Sequence, residues 1–494
     1  MNNLGKGPDT VTSNPGQLRK SLGTARLVFL VVAAAAPMAA VIGVVPVAFA
    51  LGNGAGVPLT FVGVTAVLAL FAVGYAAMSR RIVGTGAFYT YVARGLGATA
   101  GLGAAFVAVF SYTVFVAGAL AYFSYFARAA VTDIVGVDIP WLWYAAVGGA
   151  LVAVLGYRQI DLSSKLLAGL LVAEFVILAL LVGSIVVHKG SDAFPAESLG
   201  TSALTSGAPG IAIMLAFTCF IGFESAALYS EEAHDPKRSI SRATYISVGL
   251  IGAFYFVTTW ATVGGVGADS VADIAGNQLG DMYFTLSTTY LSPLITQVME
   301  VFLATSLFAT TLAIHNVASR YMFALGRQRC LPHRLGRAHP RHASPYVASM
   351  TVTAITVVIV VVCWALGVEP LVGLGAVAIG FGTVGIIALQ ALTSLAVIAF
   401  FRATHGMSWW STVVAPGLAF LGLVAAVVMA VSRFDLLSGN ESTVIKYLPY
   451  ALLAAFAVGC GYAQWNKHRR PHVHAALVDD SAIDNDLPGT VSTR

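Results

Sequence analysis

Charged side chains are scarce in this sequence. They make up 10% of its 494 residues, where a soluble domain carries about a quarter. That scarcity excludes a water-soluble globular protein of this length, and a hydrophobic share of 58% excludes a disordered one. Cysteine is sparse too. Cys219, Cys363 and Cys460 fall in apolar stretches and Cys330 in a basic loop, so no disulfide framework is expected and the first three read as reduced packing residues. No metal is expected: the tract KHRRPHVH at 467–474 lacks the spacing and enclosure of a closed site. No loop gathers a nucleophile, a base and an acid, which argues against an enzyme. The formal charge of +5 comes from short basic stretches between apolar runs, so nucleic acid is not an expected partner. No cofactor is expected either.

Long apolar runs are what the chain has in quantity. About twelve occur, near 27–51, 57–78, 98–127, 141–156, 164–187, 209–230, 243–265, 292–326, 345–366, 371–401, 411–432 and 446–465. Runs near twenty residues cross ~30 Å of hydrocarbon as helices; the fourth is short. The expectation is one all-α integral membrane domain over 26–465, with polar tails at 1–25 and 466–494, the second too poor in apolar residues to fold. Arg19 and Lys20 precede the first run as in a signal peptide. That run is too long for one, and it reads as an uncleaved first span.

Basic residues take one side. With the N-terminus in the cytoplasm and alternating spans, only Arg128, Lys189, Arg433 and Lys446 of the 27 Lys and Arg fall outside, as the positive-inside rule requires. The outer loops collect acids instead, among them Asp133, Asp138, Asp281 and Glu369. Both termini are therefore expected in the cytoplasm and the protein in the plasma membrane. The basic flank after the last span is expected to meet anionic lipid.

Residues 209–244 carry the most chemistry. A carboxylate at bilayer depth costs at least ~2.5 kcal/mol, so Glu224 is expected to face protein, water or a solute. It lies in a break at Ile221-Gly222-Phe223-Glu224. Span one breaks at Ala36-Pro37-Met38-Ala39, where proline removes a donor and clashes with the preceding turn. Spans three and eight are the longest of their halves. Span one starts inside and span six outside, which fits a five-plus-five inverted repeat, about 26–187 and 209–402, with spans eleven and twelve at 411–465 appended. Helices interrupted at the midplane expose backbone groups to a solute, so a transporter is the expected class.

Three stretches carry a family likeness. They are FTCFIGFES at 217–225 with EEAHDPKRSISR at 231–242, GTGAFYTYVARGLG at 84–97, and NVASRYMFALGRQRCLP at 316–332. In this order they resemble the amino acid–polyamine–organocation permeases, over most of residues 18–402. The resemblance implies the leucine-transporter fold and secondary active uptake of an amino acid or related amine by alternating access. A departure stands at the first break. The family has a glycine-rich run there, whose amides cradle a substrate carboxylate, whereas this chain has Pro37-Met38-Ala39.

The expected substrate contacts therefore combine the two breaks and span three. From the first break come Pro37, Met38 and Ala39, with the freed carbonyls of Ala33 and Ala34 placed to receive an ammonium group. From the second come Ile221, Gly222, Phe223, Glu224 and Ser225; by the resemblance Phe223 is an aromatic gate or platform. Ser111 and Phe115 share a face of span three with Tyr122. Ion coupling has four candidates. Glu174 stands where proton-coupled relatives carry a lysine, Glu224 lies in the break, and Glu300 and His315 share a polar stripe on span eight with Gln297 and Thr311. A proton is the first expectation for the coupling ion, with sodium symport and exchange open. A polyamine or organic-cation permease and a non-transporting solute sensor are the alternative functions.

Overall fold

The structure, a computed structural model, describes residues 23–82, 87–158, 164–224, 236–342, 344–402, 408–438 and 443–477. Among these residues every regular element is a helix. Nine described helices are long and apolar enough to cross a membrane. The difference from twelve has a simple origin. The second half of span one runs on into span two and counts with it as Ala39–Ser79, while Pro209–Phe220 is short because span six stops at its break. Span four, the 18-residue helix Trp141–Arg158, is the third that does not count among the nine.

Both expected breaks are present. Span one is helical over Thr24–Ala35, leaves the helix at Ala36 with φ 42° and resumes at Pro37. Proline suits the first turn of a helix, where its missing N–H has no partner to lose. Pro37 thus opens a second half rather than bending a continuous rod. That half winds through π-type turns at Ala39–Val44 and Phe49–Asn53 on either side of Val45–Ala48. Span six is helical over Pro209–Phe220 and then turns at Gly222, whose φ of 114° suits glycine alone. Ser225, Glu231 and Glu232 lie outside the described residues, as does most of each tail.

Two groups of helices surround the breaks. Span seven (Pro236–Val266) packs on span two (Val57–Ser79) and on the first half of span one, and span two packs on span six. Span three (Ala98–Val135) packs on spans four and eight, the latter Pro293–Arg327, while span nine (Tyr346–Ala365) joins four and eight. The first two spans of each half thus form one group and the next two the other, the pairing a five-plus-five inverted repeat produces. Span five (Ser164–Lys189) touches span seven, span eight and span one.

Span ten (Val377–Arg402) lies along span three, span eleven (Ala415–Ser432) along ten and two, and span twelve (Tyr450–Arg469) along three. Spans three and ten approach backbone to backbone. A Cβ on Gly118 would stand 2.9 Å from the Gly375 carbonyl oxygen and the Ile379 nitrogen, the small-residue contact that lets apolar helices associate in lipid. Span ten is entered through Glu369, whose carboxylate accepts from the amides of Leu371, Val372 and Gly373 at 2.8, 2.6 and 3.3 Å.

The loop before span six is tied to the end of span one. Asn53 donates to the Leu204 carbonyl at 3.1 Å, and the Ala208 amide donates to the Gly52 carbonyl at 2.8 Å. At the far end of span three Arg128 grips Asp138 with two hydrogen bonds of 2.7 and 2.8 Å and holds that carboxylate below its ordinary range. One of the four basic residues expected outside is thereby neutralised.

Candidate functional site

The two breaks enclose a cavity of about 40 Å³. Span one contributes Ala35, Ala36, Ala39 and Ala40 to its wall, and span six contributes Thr218, Cys219 and Ile221. Phe115 and Tyr122 close it from span three, Leu307, Thr310 and Ile314 from span eight, and Ile379 from span ten. Among the described residues no charged side chain lines it. The helix ends supply polarity instead. Thr24–Ala35 and Pro209–Phe220 both terminate at the cavity, and the last carbonyls of a helix have no partner within it. Ala33 and Ala34 lie in the last turn of the first of these helices. Two negative helix ends facing one space favour a cation such as an ammonium group. The helix restarting at Pro37 presents its positive end beside them.

Glu224 is buried and faces away from this cavity. Its Oε1 accepts from Tyr112 Oη at 2.8 Å and its Oε2 from the Gly222 amide at 3.0 Å, while Tyr75 Oη donates to its carbonyl at 3.1 Å. A buried amide and a buried phenol are satisfied by one carboxylate, which fixes the turn that ends the helix. Phe223 differs from its expected place as well. Its ring packs edge-on to Phe71 at 5.9 Å, fully buried. The reason is that the turn at Gly222 sends Ile221 into the cavity and the next two side chains to the opposite side.

There they join a cluster built from all three family-like stretches. Tyr112 stacks on Tyr321 at 5.4 Å, Tyr321 meets Tyr89 at 6.0 Å, and Tyr75 meets Tyr91 at 5.2 Å and Phe88 at 6.0 Å. Residues 87–97, 217–224 and 316–332 thus converge on the wall between the cavity and the basic end of the bundle.

Glu174 lines a second, smaller cavity of about 30 Å³ on the other side of the span-one break, with Ala36, Thr305 and Ser306. The Met38 amide and the Ser306 hydroxyl are its polar neighbours. Its Oε2 is buried without a hydrogen-bond partner, as is Ser306 Oγ. A carboxylate beside the first amides of the restarted helix complements the positive helix end.

A family model described as amino acid permease matches residues 22–458. The chain belongs to the amino acid permease family. An uncharacterized transporter of Mycobacterium tuberculosis is 26% identical to this permease over 382 residues, 77% of this chain and 80% of that one. The branched-chain amino acid permease BcaP of Bacillus subtilis is 24% identical over 145 residues, 28% of this chain and 29% of that one. An uncharacterized transporter of Rhizobium meliloti is 29% identical over 215 residues, covering 41% and 43%.

Other expected site residues of the permease lie apart from the cavity. Ser111 points at span ten, where a Cβ on Gly385 would collide with its hydroxyl. The stripe on span eight does not face one space. Gln297 is exposed, and Thr311 donates to the Leu307 carbonyl at 2.8 Å. His315 places Nε2 3.1 Å from the Ser349 carbonyl and 3.0 Å from Thr353 Oγ1. A carbonyl only accepts, so Nε2 carries the proton and the ring ties span eight to span nine. Glu300 is buried with its Oε2 unpartnered, and its charged neighbours are Asp133 and Asp281. Sequence reasoning missed Thr218 and Thr310 as cavity residues; Tyr122, placed on the same face of span three as Phe115, does line the cavity.

Proposed function

We propose that this permease carries amino acids with an apolar side chain across the plasma membrane, N- and C-termini inside, by proton-coupled alternating access. The observation that carries the reading is the composition of the cavity wall: mostly alanine, valine, leucine, isoleucine and phenylalanine, with Thr218, Cys219, Thr310 and Tyr122 as its polar side chains, around two negative helix ends and, among the described residues, with no carboxylate. An α-ammonium group is met by the carbonyl ends of spans one and six, and an α-carboxylate by the restarted helix of span one. An aliphatic side chain lies against Phe115, Leu307, Ile314 and Ile379. The branched-chain permease among the relatives agrees with that choice. A polyamine needs a carboxylate for its second ammonium group, and Glu224 is spoken for by Tyr112 and Gly222, so that alternative is disfavoured.

Glu174 is the proton carrier in this reading, because it is buried, touches the break and lacks a full set of partners. Sodium is the second reading, favoured by the Thr305 and Ser306 side chains around the same small cavity. The aromatic cluster around Glu224 acts as the inner gate, and a cavity of about 40 Å³ corresponds to the closed form. Rocking of one helix group against the other opens it. The test is uptake of radiolabelled leucine into proteoliposomes with an inside-alkaline gradient. Accumulation that collapses with a protonophore is the expected result. Binding without accumulation would favour a sensor, and accumulation of putrescine but not leucine would replace the substrate assignment.

A further inference from the structure

A pocket lies far from the breaks, at the basic end of the bundle. It encloses about 510 Å³ between the start of span three, the loop after span eight and the end of span twelve. Arg329, His333 and Arg470 form its rim, and Phe106, Val458 and Tyr462 its wall. Among the described residues none of the three rim side chains has an acidic partner. The rim is built rather than loose. Arg329 sits at φ 57° in the turn that ends span eight, where Cys330 and Leu331 both donate to the Leu325 carbonyl at 2.9 and 3.1 Å. Arg470 lies over the Trp465 ring at 5.5 Å, Trp465 stacks on Tyr462 at 5.5 Å, and Tyr462 meets Phe106 at 6.3 Å.

Depth gives this arrangement its meaning. Arg470 and Val458 are separated by twelve helical steps, roughly 18 Å along the axis. With span twelve crossing the bilayer in the proposed orientation, the cations at its basic end stand at headgroup level while the wall reaches into the acyl region. Val458 is 60% exposed, so the lower part opens sideways towards lipid. A space that is cationic at one end and apolar and lipid-open at the other matches an amphiphile with an anionic head. A free anion would leave the wall uncovered, and a zwitterionic lipid would bring its own cation to an already cationic rim.

We infer that this pocket binds one anionic phospholipid of the inner leaflet, its phosphodiester held by Arg329 and Arg470 with His333 beside them, and an acyl chain along Phe106, Tyr462 and Val458. The leaflet follows from the proposed orientation; the pocket itself is independent of which solute the permease carries. Such a lipid bridges spans three, eight and twelve.

The experiment is native mass spectrometry and thermal unfolding of the delipidated full chain in detergent, titrated with phosphatidylglycerol, phosphatidylcholine or inorganic phosphate. Phosphatidylglycerol is expected to bind and raise the unfolding temperature, while the other two at equal concentration do neither. The double substitution Arg329→Gln with Arg470→Gln is expected to weaken phosphatidylglycerol binding about thirtyfold, the equivalent of two basic contacts, and Arg329→Lys with Arg470→Lys to retain most of it. Should the glutamine pair fail to fold, Val458→Trp, at a lipid-exposed position, fills the wall and is expected to reduce binding with the rim intact. Equal binding of phosphatidylcholine, a phosphate effect matching the lipid's, or undiminished binding by the glutamine pair (or, where that pair does not fold, by Val458→Trp) would overturn the assignment.

Discussion

Tyr112 and Glu224 show what a single residue can and cannot disclose. The cost of burying a carboxylate in lipid made Glu224 legible in the sequence as a residue that must have partners. Which partners was not legible, because the face of span three that meets span six is decided by packing far along the chain. Tyr112→Phe leaves one carboxylate oxygen without its donor and should lower stability by about 1–2 kcal/mol, read as an earlier thermal melt. Glu224→Leu strands both the Gly222 amide and the Tyr112 hydroxyl and should cost more than Tyr112→Phe in the same assay. Glu174 is the contrasting case, a buried acid with an open valence beside the break. Glu174→Gln should still bind leucine, yet its uptake should no longer respond to an imposed pH gradient. Gradient-driven accumulation at the wild-type level in that variant would move the coupling site elsewhere.

At the scale of the element, the breaks were readable because their causes are local. Proline at position 37 and glycine at 222 act on their own turns, and no distant contact is needed to stop a helix there. The solute-facing side of span eight was not readable. Its polar stripe, Gln297, Glu300, Thr311 and His315, looks like a pathway, whereas Leu307, Thr310 and Ile314 line the cavity. Polar side chains in a membrane helix mark contacts with other helices as often as a pathway, and His315 bonded to span nine is such a contact. The contact between spans three and ten offers a sharper test. Gly118→Val would push a branched side chain into the Gly375 carbonyl, and backbone cannot swing aside as a side chain can. The expected loss is about 1–3 kcal/mol, visible as a lower melting temperature, while Gly461→Ala, which meets nothing within 4 Å, should melt like the wild type.

For the whole molecule, the membrane class followed from apolar run lengths, and the five-plus-five repeat from the positions of the breaks and the opposite orientation of spans one and six; the two helix groups come from packing. The proposed position of the site, between two interrupted helices, was suggested by their breaks, and a cavity lies there. What that reasoning could not supply was the wall of the cavity, since five spans meet there and each contributes one short face. Cys219 gives direct access to that wall, because its thiol is buried at the break of span six. The decisive measurement is maleimide labelling of Cys219 in a transport-competent variant with Cys330, Cys363 and Cys460 replaced by alanine. Labelling should accompany cycling and should be slowed by leucine, isoleucine or valine but not by putrescine. If leucine is transported while Cys219 reacts at the same rate with or without it, the substrate does not pass between these two helix ends.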